Sequence, residues 1–262
     1  MYIEVRNAVK QFLCKNPAGG DEKFVTVLGD VSLSIERGEF VCLLGPSGCG
    51  KTTLVNAMAG FEKLTSGSVV IDGETVTRPS PRYVTIFQNY GLLPWRSVRK
   101  NVELGLESSG LTPEERDVTA ERYLKLVNLS AFAEQHPCRL SGGQQQRVAI
   151  ARALAVNPEI LFMDEPFGAL DAITRYKLQN DLREIVRREC KTVVFVTHDI
   201  DEAVFLADHI VVMEPNPGRI RKILPVKLSH PRVRNESGFV ELRKEIFREF
   251  FHVSDRSIEY FI

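Results

Sequence analysis

The sequence predicts an α/β fold: a parallel sheet with helices on its faces, preceded by antiparallel strands and interrupted by a helical insertion. Three observations point there. The runs Phe40-Val41-Cys42-Leu43-Leu44, Ile160-Leu161-Phe162-Met163, Thr192-Val193-Val194-Phe195-Val196 and His209-Ile210-Val211-Val212-Met213 are short, continuous and rich in branched residues, the pattern of strands buried on both faces. Helical patterns separate them, as in residues 174–188 with Leu178, Leu182, Ile185 and Val186 on one stripe, and in residues 201–207. Residues 98–153 carry helical spacing at Tyr123, Leu124, Leu126 and Val127 and no strand pattern, so they form the insertion.

In chain order, residues 1–36 read as antiparallel strands, with Gly19-Gly20 as a turn and apolar alternation at Val25-Val27 and Val31-Leu33-Ile35. Residues 68–71 continue this subdomain and end at the hairpin signal Asp72-Gly73. A helix over residues 53–60 precedes that strand, and an Ala-rich helix lies over 147–156. Beyond Pro215-Asn216-Pro217-Gly218 the pattern weakens. From Arg219 to Arg248 the chain holds nine Lys or Arg and ends in Ile246, Phe247, Phe250 and Phe251. That tail reads chiefly as a solvated basic face, with a lipid or partner contact as the second reading.

Composition sets the outer limits. The 262 residues, 44% hydrophobic and 26% charged, exclude disordered, collagen-like and disulfide-scaffold classes. With 34 basic against 34 acidic residues there is no net field to draw the chain to nucleic acid, which is not expected as a partner. Five scattered cysteines without CxxC spacing argue against a zinc site or a disulfide framework and suit a reducing cytoplasm. No apolar run approaches the ~20 residues of a membrane span. The opening MYIEVRNAVK lacks a signal-peptide core, so a membrane role would come through a partner.

Gly45-Pro46-Ser47-Gly48-Cys49-Gly50-Lys51-Thr52 matches G-x-x-x-x-G-K-[ST] between a strand and a helix, the context this phosphate loop requires, so the fold class is an α/β P-loop NTPase core. Glycines let backbone N–H groups curl round phosphate oxygens. Lys51 reaches the β and γ phosphates, the Thr52 hydroxyl binds Mg2+, and Thr53 continues the helix whose N-terminus favours the anion. This loop does not by itself separate kinases, GTPases, helicases and transport ATPases. Asp164 and Glu165, directly after a buried strand, add one carboxylate to hold Mg2+ through water and a second to orient or deprotonate the attacking water. An acidic helix N-cap is the competing reading of that pair.

Ninety residues beyond Lys51, Leu140-Ser141-Gly142-Gly143-Gln144-Gln145-Gln146-Arg147 opens a helix and resembles the ABC signature motif. The chain thus resembles the ATP-binding subunit of an ABC transporter, over about residues 1–213. Ser141 suits a helix N-cap and the dipole behind it favours an anion, but capping alone does not explain paired glycines before three glutamines. The resemblance implies that Ser141, Gly142, Gly143, Gln144 and Asp171 meet ATP held by a second ATP-binding subunit, identical or related. It implies that Gln88 touches Mg2+ and the water, and that His198 holds the γ-phosphate and orients Glu165. Phe12 falls where an aromatic, usually Tyr, stacks on adenine. The implied layout is an ATPase domain over residues 1–213, a helical subdomain over about 98–153 carrying the signature, and a short extension over 214–262.

Within the family, the segment from Tyr90 to Val102 and the run Pro166 to Ala172 resemble the nitrate, sulfonate, taurine and bicarbonate importer group. The resemblance implies that Leu92, Leu93 and Trp95 contact a transmembrane permease at the cytoplasmic face of the bacterial inner membrane, fed by a solute-binding protein. Packing of Trp95 beneath the helical insertion is the alternative. The 49 residues after Met213 are too few for the β-barrel sensor that some sugar importers append. A soluble ABC ATPase without a membrane partner is the rival reading, and a hydrolysis-impaired subunit a third. Lys51, Gln88, Asp164, Glu165 and His198 are all present, and the solute itself is not encoded. Alkylation of Cys49 within the loop is expected to block nucleotide entry, with ATP protecting.

Overall fold

Alternation of buried and exposed residues makes the first strands, and the computed structural model describes them within residues 1–14, 22–87, 90–168 and 170–251. The Gly19-Gly20 turn, Gln88 and Ala169 lie outside those residues. In chain order the elements are β1 (Ile3–Cys14), β2 (Lys23–Ile35), β3 (Phe40–Leu44), α1 (Lys51–Met58), β4 (Ser66–Ile71), β5 (Glu74–Thr75), β6 (Tyr83–Ile86), α2 (Val98–Glu103), α3 (Pro113–Leu126), α4 (Gly142–Ala155), β7 (Ile160–Asp164), α5 (Ala172–Arg188), β8 (Thr192–Thr197), α6 (Ile200–Leu206), β9 (His209–Glu214), β10 (Arg219–Pro225) and α7 (Ser237–Phe251). They fall into two units, one formed by Met1–Pro79 with the chain from Val194 onward, the other by Ser80–Val193.

In the first unit β1 pairs antiparallel with β2 on one side and β4 on the other. Val31, Leu33 and Ile35 point inward while Ser32 and Ser34 face out, the period-2 pattern of a half-buried strand. Asp72 and Gly73 both sit at positive φ, 53° and 79°, as the tight turn between β4 and β5 demands. The strand β3, buried at all five residues, runs parallel to β9 from Val41 opposite His209 to Leu44 opposite Val212. It also neighbours β8. The Asp208 carboxylate accepts from Phe40 N at 2.9 Å and fixes the start of this pair.

In the second unit β6 and β7 are parallel, with Arg82 donating to both oxygens of Glu159 at 2.7 and 3.3 Å beside them. The insertion holds α2, α3 and α4 joined by turns, with no strand among its described residues. Thr112 and Glu115 close a capping box at the start of α3, and Arg147 on α4 reaches Asp181 on α5 at 2.9 Å.

The four predicted buried strands are β3, β7, β8 and β9. Sequence reading passes over β6, whose four residues are too few for a period to show. It also misjudges the tail. β10 pairs antiparallel with β9, and α7 packs on α6 with Phe239 and Ile246 buried. Several of its basic residues turn inward or pair, while Arg219, Lys227 and Arg248 are exposed: Lys222 bonds Glu245 and Glu249, Arg221 bonds Glu249, and Arg243 lies 3.5 Å from Asp201. Arg232 is 7% exposed, and its Nη1 donates to Val204, Phe205 and Ala207 carbonyls at 2.8, 3.1 and 2.7 Å, capping the C-terminal end of α6. Among the described residues no helix is long and apolar enough to cross a membrane.

Arg232→Ala strands those buried carbonyls at a cost of about 1–3 kcal/mol. The expected result is a fall in Tm of roughly 2–4 °C per kcal/mol in thermal unfolding. An unchanged Tm would show the tail to be dispensable to the fold.

Candidate functional site

The cradle follows from where β3 ends. Leu44 leaves the sheet, Gly45 stays buried, Pro46, Ser47 and Gly48 are exposed, and the chain turns into α1 at Lys51. Gly48 and Gly50 have φ of 79° and 90°, a region that side chains strain to enter. Room is also short at Gly50, where a Cβ would come 2.7 Å from Leu28 Cδ2. Gly218 presses on the loop from outside, its Cβ position 2.3 Å from Cys49 O.

Lys51 is 5% exposed, and its Nζ donates to Gly45 O at 2.6 Å and Pro46 O at 2.9 Å. The loop is thus wrapped round its own ammonium. The N-terminus of α1 has Gly50 as N-cap with no side-chain hydrogen bond and no acidic residue in its first turn. Uncapped N–H groups, a helix dipole and a cation together fit the phosphates of a nucleotide. Thr52, next along α1, is exposed and Thr53 half-buried. Cys49 is fully buried, with its thiol 3.8 Å from Lys51 Nζ. Burial pushes that thiol's pKa up, with the Lys51 charge opposing.

His198, in the same unit as the cradle, is exposed immediately after β8. Its neighbours are pinned: Thr197 Oγ1 donates to the buried Glu202 Oε2 at 2.6 Å and accepts from Asp199 N at 3.0 Å, while Asp199 caps α6. Phe12 lies on β1, 37% exposed, with Lys10 Nζ 4.6 Å over its ring. One ring face therefore already carries a cation.

In the second unit Asp164 is the last residue of β7, and Glu165 follows at φ 45°. A carboxylate held in the left-handed region is strained backbone of the kind stored at functional sites. Ser141 caps α4 in a reciprocal box: Gln144 N donates to Ser141 Oγ at 3.4 Å, and Ser141 N donates to Gln144 Oε1 at 2.9 Å. Ser141 and Gly142 are exposed. Gly143 is buried where a Cβ would meet Thr174 Cγ2 at 2.4 Å, so it is small for packing, whereas the space beside Gly142 is ordinary. Asp171 caps α5, accepting from Thr174 N at 3.0 Å, and that backbone bond holds its carboxyl below the usual range.

Between Gly91 and α2 lies a loop with Trp95 at its tip, 72% exposed, and Leu92 and Leu93 half-buried. That exposure excludes packing of Trp95 beneath the insertion. The loop is built from within by Asn101, fully buried, whose Oδ1 accepts from Leu93 N at 2.8 Å and whose Nδ2 donates to Leu93, Arg96 and Ser97 carbonyls at 3.0, 3.1 and 3.1 Å. Sequence reading missed Asn101 and the Thr197–Glu202 pair. Neither sits in a motif, although a lone Asn on the apolar side of α2 was a signal to follow.

Comparison with known proteins adds the following. A profile of the ABC transporter family matches residues 28–168. An uncharacterized ABC transporter ATP-binding protein of Methanocaldococcus jannaschii is 50% identical over 222 residues, covering 85% of this chain and 83% of its own. A nitrate import ATP-binding protein of Synechococcus elongatus is 44% identical over 237 residues, covering 86% of each chain. Among solved structures, a dimeric ATP-binding cassette in a post-hydrolysis state with ADP and Pi superimposes at a TM-score of 0.74 and 34% identity, over 87% of this chain and all of that one.

Cys49 gives a direct check on the cradle's geometry. A buried thiol with a raised pKa holds little thiolate at neutral pH, so alkylation of Cys49 is expected to be at least roughly tenfold slower than that of the exposed Cys14, Cys138 and Cys190, and to climb with pH. Mass spectrometry of iodoacetamide-treated protein reads it, and equal rates would contradict the buried thiol.

Proposed function

The chain belongs to the ABC transporter family of ATP-hydrolysing cassettes, and from that premise we propose that it powers an importer for a small solute, an anion of the nitrate, sulfonate, taurine or bicarbonate type. In this reading two ATP-binding subunits, identical or related, close over ATP, and the closure is passed to a separate permease supplied by a solute-binding protein. The subunit then sits peripherally on the cytoplasmic face of the bacterial inner membrane. The observation that carries the importer reading is the exposed Trp95 on a loop braced by Asn101, a rigid apolar anchor of the kind that dominates protein interfaces.

The residue roles in this reading are these. Residues 45–53 hold the phosphates, Lys51 the β and γ oxygens, and Phe12 stacks on adenine through the ring face away from Lys10. Glu165 accepts the proton of the attacking water or aligns it, His198 orients that group, and Ser141, Gly142, Gly143, Gln144 and Asp171 contact the nucleotide of the facing subunit. Thr52, Asp164 and Gln88 hold Mg2+, which supplies charge neutralisation when bound. The Thr52 hydroxyl and the Asp164 carboxylate are oxygen donors, the ligand type a hard cation such as Mg2+ takes. In this reading residues 1–213 work as the ATPase domain and residues 214–262 as a short extension of it.

Two experiments bear on this reading. Glu165→Gln keeps the side chain's shape and removes its charge, so ATPase is expected to fall by about 10²–10⁴ while size-exclusion chromatography in ATP shows a lasting dimer. Retained hydrolysis would remove Glu165 from the chemistry. Trp95→Ala, at an exposed position, is expected to leave Tm unchanged and to weaken co-purification with the permease by roughly 30-fold, corresponding to an anchor of about 2 kcal/mol. Undiminished co-purification would place the contact elsewhere.

A further inference from the structure

The Trp95 loop is tied to the signature helix by bonds that no motif announces. Arg152, on α4, donates from Nη1 to Gly91 O and from Nη2 to Tyr90 O, both at 2.6 Å. Tyr90 is buried at φ 57°, a strained conformation for an aromatic residue. Its hydroxyl has no hydrogen-bond partner among the described residues and stands 4.0 Å from where a Cβ on Gly142 would lie. One residue is therefore gripped at its carbonyl by the body of α4 and lays its ring tip against the glycine that opens the same helix.

The geometry of that double attachment matters. Arg152 lies eleven positions after Ser141, about 16 Å along a helix that is stiff over its 14 residues. A charge-assisted fork on two successive carbonyls fixes direction as well as distance. From the other side Asn101 locks Leu93, Arg96 and Ser97 into the same loop. The loop is thus held to α4 at Tyr90 and Gly91 and to α2 at Leu93, Arg96 and Ser97, on both sides of its exposed ring.

We propose that Arg152 and Tyr90 make the Trp95 loop and the signature end of α4 one moving body, so that Arg152 is a positioning residue for the nucleotide contact across the dimer. The inference rests on the reading of Ser141 and Gly143 as that contact, and the test separates the two. Trp95 is the chain's single tryptophan, so its fluorescence reports the loop directly.

In the full-length Glu165→Gln protein, ATP is expected to produce a saturable change in acrylamide quenching of Trp95 as the dimer forms. Adding Arg152→Gln should abolish that change while ATP affinity measured by calorimetry stays at the parent's value. Arg152→Lys, which reaches one carbonyl but not both, should keep part of it. A folded Arg152→Gln chain with the parent's full response overturns the link, as does a parent dimer whose Trp95 is silent. If Arg152→Gln lacks the parent's circular dichroism, Arg152→Lys decides, and a full response there overturns it. A parent that fails to dimerise in ATP removes the nucleotide-contact reading of two identical chains and takes the link with it. No permease is needed, so the permease-docking reading stands or falls separately.

Discussion

A buried ammonium governs the cradle. Lys51 is withdrawn from water, and an uncompensated charge in such a place costs several kcal/mol, so its neighbours must supply oxygen. They do so by bending the backbone until the Gly45 and Pro46 carbonyls face inward. That bend needs the left-handed glycines 48 and 50, turns the Cys49 thiol into the interior, and brings Gly218 hard against the loop. A chain that ends a strand, reverses round a cation and starts a helix has few ways to do it, and the start of α1 is left without a side-chain cap as a result.

The same economy appears at three other helix starts. Ser141, Asp171 and Asp199 all spend side-chain oxygens on backbone N–H groups of α4, α5 and α6. Capping freezes the rotamers of groups whose chemistry calls for fixed positions, and a hydroxyl or carboxylate retains further lone pairs for a ligand. The exposed surface of Ser141 and Gly142 is accordingly presented on a rigid support, while Gly143, one residue on, is also kept free of a side chain by its close packing against Thr174.

What could be read from the chain alone was whatever its local order dictates. The cradle, the carboxylate pair after β7 and the capped start of α4 are contiguous, so residue type and spacing suffice. Trp95 was ambiguous because its exposure is decided by Asn101 on α2 and Arg152 on α4, and nothing in the segment itself announces those partners. The tail was misjudged for a related reason. Its cations were counted without the carbonyls and carboxylates that fold back to meet them, so Arg232 looked solvated when it closes the end of α6. The Phe12 ring was legible as an aromatic, but the Lys10 ammonium over one face was not.

β10 hydrogen-bonds to β9 along one side, and among the described residues its other side meets a strand only at the Leu28–Gly218 bridge just before it begins. A bare strand edge is a template on which another chain can add itself and start an aggregate. Here the edge carries Arg219, Arg221 and Lys222 and finishes at Pro225, which has no N–H to offer an incoming strand. Arg221 and Lys222 are at the same time tied to Glu249 and Glu245 of α7, so the charges that sequence composition assigns to a tail both guard a strand edge and hold the last helix to it.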